Sequence, residues 1–209
     1  MTNSIYLRMR DATYKNILKI MLSQRGRLFE KFLQCFQITS STSCIDIGGF
    51  SEGFETLGEK CLSLAINPEI RYGEKGSCFI IGKGQFLPFK DNSVDIVIMN
   101  SLLEHVEDPQ AIVNEAKRVC RSGYFIQVPY LYFPLEPHYL LPFFQYVPES
   151  IKRFLVLKLG MTIGWISRGN YDKIRLFTGT RLRKLCPDAQ IQYFRVMGIP
   201  IDLIAFVKK

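Results

Sequence analysis

Residues 82–107 read G-K-G-Q-F-L-P-F-K-D-N-S-V-D-I-V-I-M-N-S-L-L-E-H-V-E, and D-P-Q-A-I-V-N-E-A-K-R-V follows at once. Val94 to Met99 are apolar apart from Asp95, as expected of a strand covered on both faces. The next element carries its own punctuation. Asp108 can cap a helix and Pro109 suits its first turn. Ile112, Ala116 and Val119 form a buried stripe. The helix is expected to end near Arg121, with Gly123 beyond a basic last turn. Y-F-I-Q-V-P, residues 124–129, then reads as another strand.

The same alternation runs upstream. Residues 1–40 are mostly helical in pattern. S-C-I-D-I-G at 43–48 is a short strand, and a helix begins over Ser51 to Leu57. K-C-L-S-L-A-I-N gives a second strand, closed by Asn67-Pro68, and C-F-I-I-G a third. Strands alternating with helices predict a parallel sheet with helices on both faces. Ligands of such sheets bind beyond the carboxyl ends of the strands. The glycine turn at 48–53, Asn67, Lys83-Gly84-Gln85 and Asn100-Ser101 all follow strands, so four loops converge on one edge.

The segment 130–177 breaks the rhythm. It is aromatic and proline-rich, then basic, and predicts helices near 138–146 and 149–159 as a cap or insertion. From Thr178 or Thr180 a helix runs to Leu185. Q-I-Q-Y-F-R-V and I-D-L-I-A-F-V then form a terminal antiparallel hairpin.

The chain has 209 residues and a net charge of +8, consistent with one domain. Between 151 and 185 nine Lys and Arg residues face one acid, Asp172. Such a field fits a phosphorylated acceptor or an anionic membrane surface. Six cysteines include no C-x-x-C pair, so no zinc site is expected. No signal-like apolar stretch opens the chain, which reads as cytoplasmic, peripheral at most to the inner face of a membrane.

Three parts of the 82–119 stretch resemble class I S-adenosylmethionine-dependent methyltransferases of the type 11 kind. They are L-P-F before the strand, D-N-S-V-D-I-V opening it and L-E-H-V-x-D-P after it. The resemblance covers residues 43–128. L-F-T-G-T-R-L-R-K-L-C-P-D-A-Q-I and E-P-H-Y-L-L-P-F resemble, more loosely, members found with envelope-polysaccharide biosynthesis. The fold implied is α/β and Rossmann-like: a mostly parallel sheet, a terminal antiparallel hairpin and a helical insertion.

The resemblance also implies a site for S-adenosylmethionine. In the family's D-x-G-x-G-x-G turn, Asp46 and Gly48 match, while Phe50 and Glu52 stand where glycines are expected. Gly49 and Gly53 can supply the freedom through a shifted turn. Asn67 replaces an acid that accepts from the ribose hydroxyls. Lys83 replaces an Asp that accepts from the adenine amino group, and an ammonium only donates. The backbone of Gly84, with Gln85 beside it, can still meet adenine. Asn100, Ser101 and Leu103 match positions lining the methionine side.

His105 reads either as a buried ring orienting its loop or as a general base near the acceptor. His138 reads either as a local hydrogen-bonding residue or as a catalytic one. Tyr130, Tyr132, Glu136 and Tyr139 read as acceptor-pocket residues or as packing aromatics and a surface acid. Three functions stay open, in this order. The first is a methyltransferase acting on a small molecule or saccharide. The second is an inactive binding module of the same fold. The third is an RNA methyltransferase, placed last because no RNA-binding appendage is recognisable.

Overall fold

The computed structural model describes residues 27–48, 62–67, 79–159 and 171–209. The expected elements over 1–26 and 51–57, with Gly49, Phe50, Glu52 and Gly53, lie outside the described residues. A helix α1 over 27–35 leads to β1 (Ser43–Ile47). Then come β2 (Leu62–Asn67), β3 (Phe79–Ile81), β4 (Val94–Asn100), α2 (Pro109–Val119) and β5 (Cys120–Pro129). The insertion carries β6 (Leu135–Glu136), β7 (Leu141–Pro142), a 3-10 turn (Phe144–Tyr146) and α3 (Glu149–Leu159). The chain closes with α4 (Gly179–Leu185), β8 (Gln190–Val196) and β9 (Ile199–Lys208).

The central sheet has the order β3-β2-β1-β4-β5-β9-β8. It is mixed. Its first four pairings are parallel, and β9 pairs antiparallel with both β5 and β8. The strand order reverses at β1, because β2 and β4 flank it. That reversal is where such a sheet opens a crevice for ligands.

Side-chain alternation explains why β4 and β5 read as apolar runs. Val97 and Met99, with Tyr124, Ile126 and Val128, join one core, against Ile112, Ala116 and Val119 of α2 and Leu182 of α4. Ile96, Ile98 and Phe125 point to the other face, against Leu28, Phe32 and Phe36. Successive residues of a strand face opposite ways, so both faces must be apolar. Asp108 caps α2 by accepting from the Ala111 N–H at 3.1 Å. Thr178 caps α4 through Arg181 N–H. The β8–β9 turn sets Met197 and Gly198 at φ 49° and 83°, the left-handed pair that a tight hairpin turn needs.

Two expectations fail locally. Gly123 does not terminate α2. The strand β5 begins at Cys120, immediately after Val119, and Gly123 lies inside it at φ 149°. A Cβ there would sit 1.9 Å from the Val207 carbonyl oxygen, so a side chain would push β9 away. The β4–β5 register shifts at the same point. Secondly, residues 138–146 form no α-helix. Leu140 and Phe143 take φ of 54° and 56°, and Leu135 and Glu136 pair instead with Pro142 and Leu141. Pro142 lacks the N–H that a helix interior requires. The helix expected over 149–159 is present as α3.

Candidate active site at the carboxyl edge of the sheet

The turns after β1, β3 and β4 meet. Gly48 has φ 73°, and its N–H donates to the Ile66 carbonyl at 2.7 Å. A Cβ on Gly48 would lie 2.6 Å from Leu102 Cδ1. A Cβ on Gly84 would lie 2.6 Å from Ile47 Cγ2. Both glycines are therefore read by close packing between loops, not by sequence pattern alone. The turn after β4 is held from β5. Ser101, at φ 49°, donates its N–H and its hydroxyl to Gln127 Oε1 at 3.0 and 2.8 Å.

At this edge two buried side-chain oxygens, Asp46 Oδ1 and Asn100 Oδ1, have no hydrogen-bond partner among the described residues. Burial pushes the Asp46 carboxyl up to about 7. Buried acceptors of this kind are normally satisfied, and a ligand bearing N–H donors would satisfy them. Lys83 is exposed, while Gly84 and Gln85 are half-buried beside it. The backbone of Asn67 closes β2 opposite Ile81. Leu103 does not line the edge. It is fully buried in the core, because the turn after β4 folds it inward.

A second group of polar side chains stands beside the first. Glu104 and His105 follow β4, and the insertion brings His138, Glu136 and Asp172 to them. His105 is partly exposed rather than a buried ring. Its Nδ1 lies 2.8 Å from Asp172 Oδ2. Burial opposes its charge, but the Asp172 hydrogen bond and the charge of Glu104 outweigh this and raise its pKa. The same hydrogen bond from His105 lowers Asp172. The His105 and His138 rings meet edge to face, with centroids 4.9 Å apart.

His138 makes the local bond expected of it, Nδ1 to Glu136 Oε1 at 2.8 Å. Glu136 is a buried hub and not a surface acid. Its other oxygen accepts from the His138 and Tyr139 N–H groups. Tyr139 is fully packed, and its hydroxyl donates to the Asp172 carbonyl at 2.7 Å. Tyr130 and Tyr132 pack edge to face on each other.

Glu104 has no exposed surface, and among the described residues neither carboxylate oxygen has a hydrogen-bond partner. Burial raises its pKa, against the lowering charges of His138 and His105. The sequence shows Glu104 only as part of L-E-H-V. Nothing there says that a carboxylate would be enclosed. Asp172 has no local signal at all, since its partner His105 is 67 residues away.

The fold is similar to that of known proteins. A family model described as a methyltransferase domain matches residues 47–126. An uncharacterised protein of Methanocaldococcus jannaschii is 44% identical over 50 residues, covering 24% of each chain. An uncharacterised methyltransferase of a Mycobacterium strain is 33% identical over 87 residues, covering 38% of this chain and 34% of its own. The chain thus spans only a quarter to a third of the length of these relatives. Magnesium protoporphyrin IX methyltransferase of Synechocystis, solved with bound S-adenosylmethionine, superposes with a TM-score of 0.54 at 10% identity. The match covers 92% of this chain and 81% of that one. With this strand order and the matched span, the chain has the type 11-like fold of the class I S-adenosylmethionine-dependent methyltransferases.

Proposed function

We propose that the chain transfers a methyl group from S-adenosylmethionine to a small-molecule acceptor. The observation that carries this reading is the pair of buried, unbonded oxygens, Asp46 Oδ1 and Asn100 Oδ1, at the ends of β1 and β4. They fit a ligand that brings an ammonium, as S-adenosylmethionine does. Gly48 and Gly84 let Leu102 and Ile47 pack closely against the turns that form this edge. The donor supplies a methyl group already activated on a sulfonium. The chain's part is to bind the donor and to orient the acceptor. Alignment alone supplies much of such a rate. The cluster around Glu104, His105 and His138 is the polar wall beside that edge, and we assign the acceptor's hydroxyl to it.

A saccharide acceptor, lipid-linked and of the envelope-polysaccharide kind, accords with the basic stretch 151–185. On α3, Ile151, Phe154 and Leu157 are exposed beside Arg153 and Lys158, a face suited to an anionic membrane surface. Among the described residues no helix is long and apolar enough to cross a membrane. Release of S-adenosylhomocysteine with a panel of hydroxylated small molecules and saccharides tests the reading. Turnover with one acceptor class supports it. Binding of the donor without turnover on any class would favour a binding module.

Lys83 is the observation that favours that second reading, since an exposed ammonium cannot accept from an adenine amino group. Lys83→Asp is expected to tighten S-adenosylmethionine about tenfold, one charge-assisted hydrogen bond. Weaker binding by this variant in calorimetry would show that Lys83 itself holds the ligand.

A further inference from the structure

We infer that Glu104, His105 and His138 form a site for a first-row divalent transition-metal cation, which presents the acceptor's oxygen to the methyl donor. This rests on the methyltransferase reading for its role, but not for its existence. Ligand atoms of the three residues lie within 4.8 Å of one another. His138 Nε2 is 3.9 Å from Glu104 Oε1. That separation is too long for a hydrogen bond. It suits two ligands of one ion, because atoms each about 2.1 Å from a metal lie up to about 4.2 Å apart. The widest separation closes with a small movement, which the partly exposed His105 ring can make.

Three features separate this cluster from a chance meeting of polar groups. Glu104 is wholly buried and neither of its oxygens is hydrogen-bonded. A carboxylate enclosed in that way is costly unless a cation compensates it. Each imidazole has its Nδ1 against a carboxylate, His105 on Asp172 and His138 on Glu136, both at 2.8 Å. Carboxylates placed so fix the ring tautomer and leave Nε2 as the free donor, which is the outer shell that metal-binding histidines use. Finally, the outer shell is itself anchored. Glu136 is held by two backbone N–H groups, and the Asp172 backbone by Tyr139.

Two imidazoles and one carboxylate suit zinc, cobalt, manganese or iron(II) rather than magnesium or calcium. Three protein ligands leave positions open. A hydroxyl bound there has a lowered pKa, so its proton passes to water; the oxygen then takes the methyl group as the donor's S–CH3 bond breaks, and S-adenosylhomocysteine leaves.

The test is a titration of tag-free, chelator-stripped protein with Co2+, read by visible absorption, with Mg2+ as the comparison. The expected result is one Co2+ per chain, unaffected by a millimolar excess of Mg2+. Glu104→Gln and His138→Ala are expected to weaken Co2+ at least about 100-fold. Asp172→Asn is expected to weaken it about 10- to 100-fold. Thermal unfolding of each variant verifies that it is folded, and the Gln variant preserves the shape of Glu104. Absence of Co2+ binding below about 1 mM, or equal binding by wild type and Glu104→Gln, overturns the proposal. S-adenosylhomocysteine binding measured in chelator separates the two readings. Its loss would defeat the methyltransferase assignment and leave the metal result standing.

Discussion

Asp46→Asn is expected to stabilise the chain at pH 8 while weakening its hold on S-adenosylmethionine. Asp46 is buried at the end of β1 with Oδ1 unbonded, and burial pushes its carboxyl from 3.8 up to about 7. The sign follows from proton linkage. Between pH 4 and 7 the folded chain binds a proton on Asp46 that the unfolded chain has lost. Stability from this group is therefore present at low pH and falls as pH rises to about 7. The gap corresponds to about 4 kcal/mol. The Asn amide meets its own burial cost, so the net gain at pH 8 is expected to be about 2 kcal/mol and to vanish near pH 4. Urea unfolding of both proteins at the two pH values measures it. A variant no more stable than wild type at pH 8 would contradict the burial account. The same carboxylate must be charged to meet an ammonium. Affinity for S-adenosylmethionine should therefore rise from pH 6 to 8 in the wild type and stay flat, about tenfold weaker, in the variant. A residue that costs stability and yet holds ligand is the expected mark of a binding site.

Gly48→Val is expected to destabilise the fold by about 3 kcal/mol and to abolish cofactor binding. Gly48 sits at φ 73°, which costs an ordinary residue about 1–2 kcal/mol and a β-branched one more. Its new Cβ would also lie 2.6 Å from Leu102 Cδ1, so the Leu102 side chain must move aside. For a chain of this size the loss is a fall of about 10 °C in Tm. Gly82→Ala serves as the control. Among the described residues its Cβ would meet only Ile66 Cγ2, at 3.3 Å, and no positive φ is involved. Calorimetric Tm values within about 2 °C of wild type for Gly48→Val would show that neither the positive φ nor the approach of Leu102 demands glycine there.

Much of the sheet was legible because periodicity and punctuation are local. The apolar run of β4, the Asp108-Pro109 start of α2 and the Met197-Gly198 hairpin follow from neighbouring residues. What failed was also physical. Gly123 reads as a helix terminator because glycine after a basic turn usually is one. Its actual cause is the Val207 carbonyl, which belongs to a strand more than 80 residues on. The apolar spacing over 138–146 resembles a helix, but Pro142 and the left-handed Leu140 and Phe143 turn it into a short ladder.

The site was legible in the same uneven way. The positions of Asp46, Gly48, Gly84, Asn100 and Ser101 at this edge could be read because each lies at the carboxyl end of a strand of a recognisable sheet or in the turn after it. Glu104 could not be distinguished from a solvated acid, since burial of a carboxylate is decided by what the insertion packs on it. Asp172 reads in the sequence only as a lone acid in a basic stretch. Its role exists because Tyr139 and His105 receive it.

The edge formed by Asp46, Gly48, Gly84 and Asn100 is expected to hold S-adenosylmethionine despite Lys83. Calorimetric titration of the purified chain with S-adenosylhomocysteine at pH 8 tests it most directly. The expected result is one site per chain with a Kd on the order of 1–100 μM, about −8 to −5 kcal/mol. No heat and no shift in Tm at millimolar ligand would contradict it.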